Sequence, residues 1–351
     1  MSHASNIKLS DLNKEVGIKL NHLMLELIRH YFDEEVYMEA VPFGLTNYSK
    51  VITVNNNKYI ARIYNPHSKD LESLKFEIEL ITYLEQQKLS FEVPGFINSK
   101  AGHPYVSLSS GQYGAVMKFI EGEVPNLSQA PDLSEYGRVV GELSVAFKEF
   151  KSEKHSRILT FYDLYNLHPL SNEKSINHYF EHLPFEIEHN VIIIIKETIQ
   201  DVLNKTNILK QLPKQMIHHD ILIFNLLFGS KDKRMNGVLD FDFASNDIRA
   251  LELAICISHI VQYTNGSFEA LELFLNAYSE YMSLSIEEIE SIPLLIKMYY
   301  AALICIYIGQ FYSGQKIESY FNVIVNQFLI MRQWMENHEI TLSECIKSKL
   351  L

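Results

Sequence analysis

The chain has 351 residues, 47% of them hydrophobic and 21% charged, with 14 Gly and 10 Pro; this is the make-up of a folded globular protein long enough for two domains, unlike disordered or fibrous chains. Its 31 Lys and Arg stand against 43 Asp and Glu, a formal charge of −12, the wrong sign for a protein that grips a phosphate backbone, so nucleic acid is not an expected partner. Three cysteines, Cys256, Cys305 and Cys345, are too few and too scattered for a disulfide framework or a zinc site, and with no apolar leader at the N-terminus a reducing cytoplasm is the expected location.

Taken in chain order, Leu12, Val16, Leu20, Leu23, Met24 and Leu27 recur at helical spacing and predict a helix within residues 1–35. The break Pro42 to Asn47 precedes two β-prone runs, Tyr48–Val54 and Tyr59–Tyr64, separated by Asn55-Asn56-Asn57-Lys58. Asparagine tolerates left-handed backbone, so this segment reads as a hairpin turn. The period then changes: Leu71, Leu74, Ile78, Ile81 and Leu84 line one face of a helix over 69–88, which ends before Val93-Pro94. Strand-like segments return near 104–108 and 113–120, and Glu121-Gly122-Glu123-Val124-Pro125 reads as a loop and a boundary, dividing the chain into 1–120 and 121–351. Beyond it the pattern is mostly helical, over 133–150, 185–204, 248–262, 268–281, 285–311 and 316–336, interrupted by short strands and loops over 215–243. The longest apolar stretch, Met298 to Gly309, is too short to span a bilayer and predicts a buried core helix, so no membrane partner is expected. The class is α+β, a small antiparallel-sheet lobe followed by a large, mainly helical one.

The interruption carries the chemistry. It reads His218-His219-Asp220-Ile221-Leu222-Ile223-Phe224-Asn225, and fifteen residues after Asn225 comes Asp240-Phe241-Asp242, preceded by an apolar run. Phosphoryl transfer needs a carboxylate to orient an attacking hydroxyl and accept its proton, a role that suits Asp220. It also needs oxygen donors for Mg²⁺, a hard cation, and the Asn225 amide and the Asp240 carboxylate suit that, provided the two segments pack together. His218 reads as a residue that fixes the loop around Asp220.

On this His-x-Asp-x4-Asn and Asp-Phe-Asp pair, the chain resembles the small-molecule branch of the protein-kinase-like fold: aminoglycoside phosphotransferases, choline/ethanolamine kinases and the kinase-fold type of homoserine kinase. Gly237 to Ile257 is especially similar to the homoserine kinase pattern, and there is also a likeness to bacterial spore-coat-associated kinase-like proteins. The resemblance covers about residues 36–330. It implies ATP and Mg²⁺ as cofactors and a small-molecule hydroxyl as acceptor, with homoserine or a related amino alcohol ahead of an aminoglycoside.

It also implies roles in the N-terminal lobe. Phe43 to Ser49, with Gly44 and Asn47, resembles the loop that covers the nucleotide. Arg62 stands where the family places a cation on the strand after the hairpin, and Glu77 where it places the helix carboxylate that pairs with that cation. Glu79 lies about 200° further round the helix, so only one of the two can face a site. Tyr113 to Gly122 resembles the strand and hinge between the lobes, which puts the adenine near Met117 and Phe119. A protein kinase is excluded, since there is neither a Gly-x-Gly-x-x-Gly loop nor an Ala-Pro-Glu segment after Asp240.

Three departures from the family pattern stand out. Ile221 to Phe224 is apolar where the family is polar, which would desolvate Asp220, suit a less polar acceptor, or mark a kinase-like structural or binding protein that has lost catalysis. His219 replaces a usual Gly and reads as packing or capping. Glu252 replaces a usual Asp and is expected to tie down a helix start.

Overall fold

The structure, a computed structural model, describes residues 20–41, 47–66, 69–154, 156, 159–229 and 233–351. They fall into two compact units, one running to Gln86 and from Glu92 to Glu121, the other made of Gln87–Phe91 and Gly122–Leu351.

In the first unit the predicted N-terminal helix is present over residues 20–29 (α1); Leu12 and Val16 lie outside the described residues. The strands are β1 (Tyr37–Ala40), β2 (Tyr48–Val54), β3 (Asn57–Ile63), β4 (Val106–Ser107) and β5 (Tyr113–Lys118), forming one antiparallel sheet in the order β1-β2-β3-β5-β4. Asn55 and Asn56 turn β2 into β3 with φ of 48° and 65°. Two left-handed residues in a row twist the turn to match its strands, and Asn bears that geometry at low cost, so the predicted hairpin closes with Val54 opposite Asn57.

Alternation then sorts side chains between the faces of the sheet. Ala61, Ile63 and Val116 are packed with Leu23, Met24, Leu27 and Ile28 of α1. Arg62 is opposite Ala115 in the register, so the two share the other face. There Ala115 packs with Tyr64 and with Leu74 of helix α2 (Leu71–Gln86). The Asp70 carboxylate caps α2 by accepting the Ser73 N–H at 2.8 Å.

The second unit is helical around two small antiparallel pairs. Its helices are α3 (Ala130–Glu149), α4 (Glu173–Glu181), α5 (His189–Asn204), α6 (Thr206–Leu209), α7 (Arg249–Tyr263), α8 (Phe268–Ser279), α9 (Ile286–Tyr312) and α10 (Glu318–Leu350). β6 (Lys214–Ile217) pairs with β9 (Ser245–Ile248), and β7 (Leu226–Gly229) with β8 (Arg234–Val238). Every residue of α7 from Ala250 to Val261 is buried, which makes this helix the axis of the unit.

Three expectations are corrected. The polar run Ser245-Asn246-Asp247-Ile248 forms a strand before α7 begins, because β6 supplies a ladder that its own composition would not nucleate. α10 runs on to Leu350 because Leu342, Ile346 and Leu350 continue a buried stripe at four-residue spacing. The apolar run at 298–309 is part of a 27-residue helix, α9, long and apolar enough by composition to cross a membrane; 72% of its most apolar window is buried inside the protein, as in a core helix.

Candidate active site

Two loops of the second unit meet at the site. Strand β6 ends at Ile217, the chain passes through His218, His219 and Asp220 into a single 3-10 turn at Ile223–Asn225, and β7 follows. β8 ends at Val238 and delivers Leu239 and Asp240 into a second 3-10 turn at Phe241–Phe243. The Leu239 N–H donates to the Asn225 carbonyl at 2.8 Å, which joins the loops directly.

His218 is fully buried and bridges the same two loops through its ring. Its Nδ1 accepts the Asp220 N–H at 3.3 Å, so the proton sits on Nε2, which donates to the Leu239 carbonyl at 3.0 Å. Burial pushes the imidazole down to about 4, which keeps it neutral and in that tautomer. His218 therefore holds Asp220 and the residue before Asp240 in register. Its geometry is that of a positioning residue.

Asn225 Nδ2 donates both to the Asp220 carbonyl at 2.8 Å and to Asp220 Oδ2 at 2.9 Å. With its nitrogen so engaged, Asn225 has its amide oxygen to offer a cation. Burial and then the Asp240 carboxylate push Asp220 up to about 7, partly offset by the Asn225 hydrogen bond. An Asp240 carboxylate near enough to raise the proton affinity of Asp220, together with the Asn225 amide, makes a donor set that fits a hard dication; a bound cation would draw Asp220 back down.

His219 and Asp240 both have left-handed backbone, φ 64° and φ 61°. A residue with a Cβ is strained there and persists only where surrounding bonds fix it. For His219 those bonds are Nδ1 to the Phe243 carbonyl and Nε2 to Asp247 Oδ2, both at 3.0 Å, and the ring stacks on Phe161 at 4.3 Å. The expected packing role holds, and the positive φ explains why a glycine would also suit the position. Glu252 has a structural partner. It lies in the first turn of α7 and reaches back to accept the His218 N–H, so the start of the helix is tied down, as expected, with the 218–225 loop as its anchor. Burial pushes its carboxyl up to about 7.

The apolar Ile221–Phe224 segment is explained by packing. Ile221 and Ile223 are core residues, the Ile221 carbonyl accepts the Tyr136 hydroxyl at 2.7 Å, and the Ile223 N–H donates to His259 Nε2 at 3.2 Å. Only Phe224 is exposed, and it lies edge-on to His259 and Tyr263. Packing alone therefore accounts for the apolar character of this segment.

In the first unit, Glu77 is buried on α2, and its carboxylate pairs with Lys69 Nζ at 2.9 Å. Sequence reading missed Lys69, since a single lysine in a loop carries no pattern. Asn47 accepts the Asn65 N–H at 3.0 Å, which fixes the approach to β2. Met117 is buried in β5, and the Phe119 ring lies under Lys58 Nζ at 5.2 Å. Gly44 lies outside the described residues. Tyr307 on α9 is half-buried, and its phenol is pushed up to about 12 by burial and by the Asp220 carboxylate. Its neighbours Tyr299 and Tyr300 are core residues.

An antiparallel sheet unit followed by a helical unit is the architecture of the kinase-like fold, and the Asp–Asn–Asp loop pair at the head of a buried helix is its candidate site. The chain belongs to the phosphotransferase enzyme family, whose sequence model matches residues 38–284. It is similar to the homoserine kinase of Parvibaculum lavamentivorans, 26% identical over 263 residues covering 74% of this chain and 76% of the relative. The homoserine kinase of Rhizobium meliloti is 25% identical over 280 residues, covering 78% and 80%. Among solved structures the fold is shared with an amicoumacin kinase in complex with AMP-PNP and Ca²⁺, at TM-score 0.64 and 14% identity over 92% of this chain and 96% of that one. It is shared also with a microcompartment-associated aminopropanol kinase, at TM-score 0.61 and 12% identity over 92% and 98%. The resemblance and the α+β, two-lobed class read from the motifs are borne out, and the protein is a small-molecule kinase.

Proposed function

We propose that the protein transfers the γ-phosphoryl group of ATP, with Mg²⁺, to a hydroxyl of homoserine or a related amino alcohol, with an aminoglycoside as the second acceptor class. The observation that carries this is the Asn225 amide clamped on Asp220, in a loop bonded directly to the one that bears Asp240. Asp220 orients the acceptor hydroxyl and takes its proton as the oxygen attacks phosphorus. His218 and Asn225 hold Asp220 in place for that transfer. Asn225 and Asp240 would hold Mg²⁺, which when bound neutralises charge developing on the transferred group. Residues 1–120 would bind the nucleotide: Arg62 and the Lys69–Glu77 pair steady its phosphates, the 44–47 loop covers it, and the backbone near Met117 and Phe119 meets the base. Residues 121–351 would supply catalysis and the acceptor pocket. The homoserine kinase relatives support the first acceptor class, and a cytoplasmic location follows for an enzyme drawing on ATP.

The test is acceptor-dependent ADP release, measured with ATP and Mg²⁺ against homoserine, small amino alcohols and aminoglycosides. Turnover with one class is expected, and Asp220→Asn should lower kcat by roughly 10²–10⁴ with the fold intact. If every acceptor leaves ADP release at its background rate, the proposal is overturned.

A further inference from the structure

Outside the catalytic loops, one cluster among the described residues unites three metal-binding side chains: His178, Glu181 and His182, at the C-terminal end of α4, all exposed. We propose that they form a site for a transition-metal dication of the zinc class, distinct from the oxygen-donor site at Asn225 and Asp240. Positions i, i+3 and i+4 of a helix share one face, so the backbone already gathers the three. One ligand atom from each lies within 4.8 Å of the other two. A tetrahedral zinc ion sets its ligands about 3.3 Å apart, a distance that exposed side chains on one turn reach by side-chain rotation alone.

The tautomer is also prepared. His182 Nδ1 lies 3.2 Å from the His178 carbonyl, and a carbonyl only accepts, so Nδ1 carries the proton and Nε2 keeps its lone pair for a metal. A ligating histidine commonly donates its other N–H in this way. The platform is fixed at both ends. Ile176, Tyr179 and Phe180 are buried, Asn172 and Ser175 form a capping box at the start, and the Tyr312 hydroxyl of α9 donates to the Ser175 carbonyl at 3.1 Å. At the other end the His182 N–H closes the last turn on the His178 carbonyl at 3.0 Å.

Two imidazoles and one carboxylate select zinc-class ions over magnesium, which prefers oxygen donors throughout. Three protein ligands leave a fourth position for water. Bound there, the ion would tie the turn at which the chain leaves α4.

Calorimetric titration of ZnCl₂ into the full chain, with MgCl₂ in excess to occupy the oxygen-donor site, tests this. The wild type should take up one equivalent. His178→Gln and His182→Gln should each weaken binding by about tenfold or more, while Asp240→Asn leaves it unchanged. Cobalt(II) gives a second readout, with visible ligand-field bands in the wild type that the His178→Gln/His182→Gln double variant lacks. Both histidines are exposed, so the variants should retain the wild-type circular dichroism. Equal zinc uptake by wild type and double variant, or uptake lost only in Asp240→Asn, overturns the site.

Discussion

Glu252 makes the catalytic loop depend on pH in a direction that can be worked out. Its carboxyl ionises near 4.5 when solvated and near 7 when buried against the His218 N–H. Between those values the folded protein holds a proton that the unfolded chain has released. The stability this group contributes is complete below pH 4.5 and is lost as pH rises through 7. Glu252→Gln keeps an oxygen for the His218 N–H and cannot ionise. The stability difference, variant minus wild type, should therefore grow between pH 5 and pH 8, by at most roughly 3 kcal/mol. Urea denaturation of both proteins at the two pH values measures it, and a difference independent of pH would show that the carboxyl is not buried as described. The same residue marks what sequence could tell. Asp220, Asn225 and Asp240 were legible because the proposed phosphoryl transfer calls for those side-chain types at that spacing. Lys69 was not, and neither was the group that Glu252 reaches, because each depends on a partner outside its own segment: the Glu77 carboxylate and the His218 N–H.

At the scale of elements, α3 and α8 cross closely at Gly137. A Cβ built on Gly137 would collide with the Phe274 carbonyl oxygen and lie 3.1 Å from the Ala277 Cβ, while Tyr136 and Phe274 meet edge to face at 5.0 Å. An exposed helical glycine gains about 1 kcal/mol on replacement by alanine. Here the sign should reverse. Gly137→Ala must push α8 away from α3, and because the Tyr136 hydroxyl holds the Ile221 carbonyl, the shift reaches the catalytic loop. Thermal unfolding should show a lower Tm for Gly137→Ala, with a loss of about 1–3 kcal/mol, and a Tm at or above wild type would mean the crossing is looser than described. Elements were legible where local chemistry decides them. The Asn55-Asn56 turn and the start of α9, where Ser285 and Glu288 form a capping box, needed nothing from outside. β9 was hidden because its four residues pair only when β6 is present, and α4 because nine residues with three buried side chains give too short a pattern.

For the whole molecule, the proposed nucleotide contacts and the proposed metal ligands belong to different units, with Arg62, Lys69 and Glu77 in the first and Asn225 and Asp240 in the second. On the proposed function Mg²⁺ enters as part of a Mg²⁺–nucleotide complex, which is one ligand, so its binding energy should not divide into two independent parts. Binding to the folded state alone stabilises it by about 2.7 kcal/mol at a hundred times Kd. Thermal unfolding should therefore shift upward by a few degrees with ATP and Mg²⁺, and by less with ATP alone. Arg62→Ala removes a guanidinium that can fork onto phosphate oxygens, and should shrink the shift whether or not Mg²⁺ is present. Asp240→Asn should leave the shift with ATP alone and abolish the increment from Mg²⁺. The Arg62→Ala/Asp240→Asn double variant is the decisive member, since effects on one shared ligand are coupled. Its loss should fall short of the sum of the single losses. Losses that add would mean that nucleotide and metal bind independently, and the residues assigned here to one reaction would belong to two separate sites.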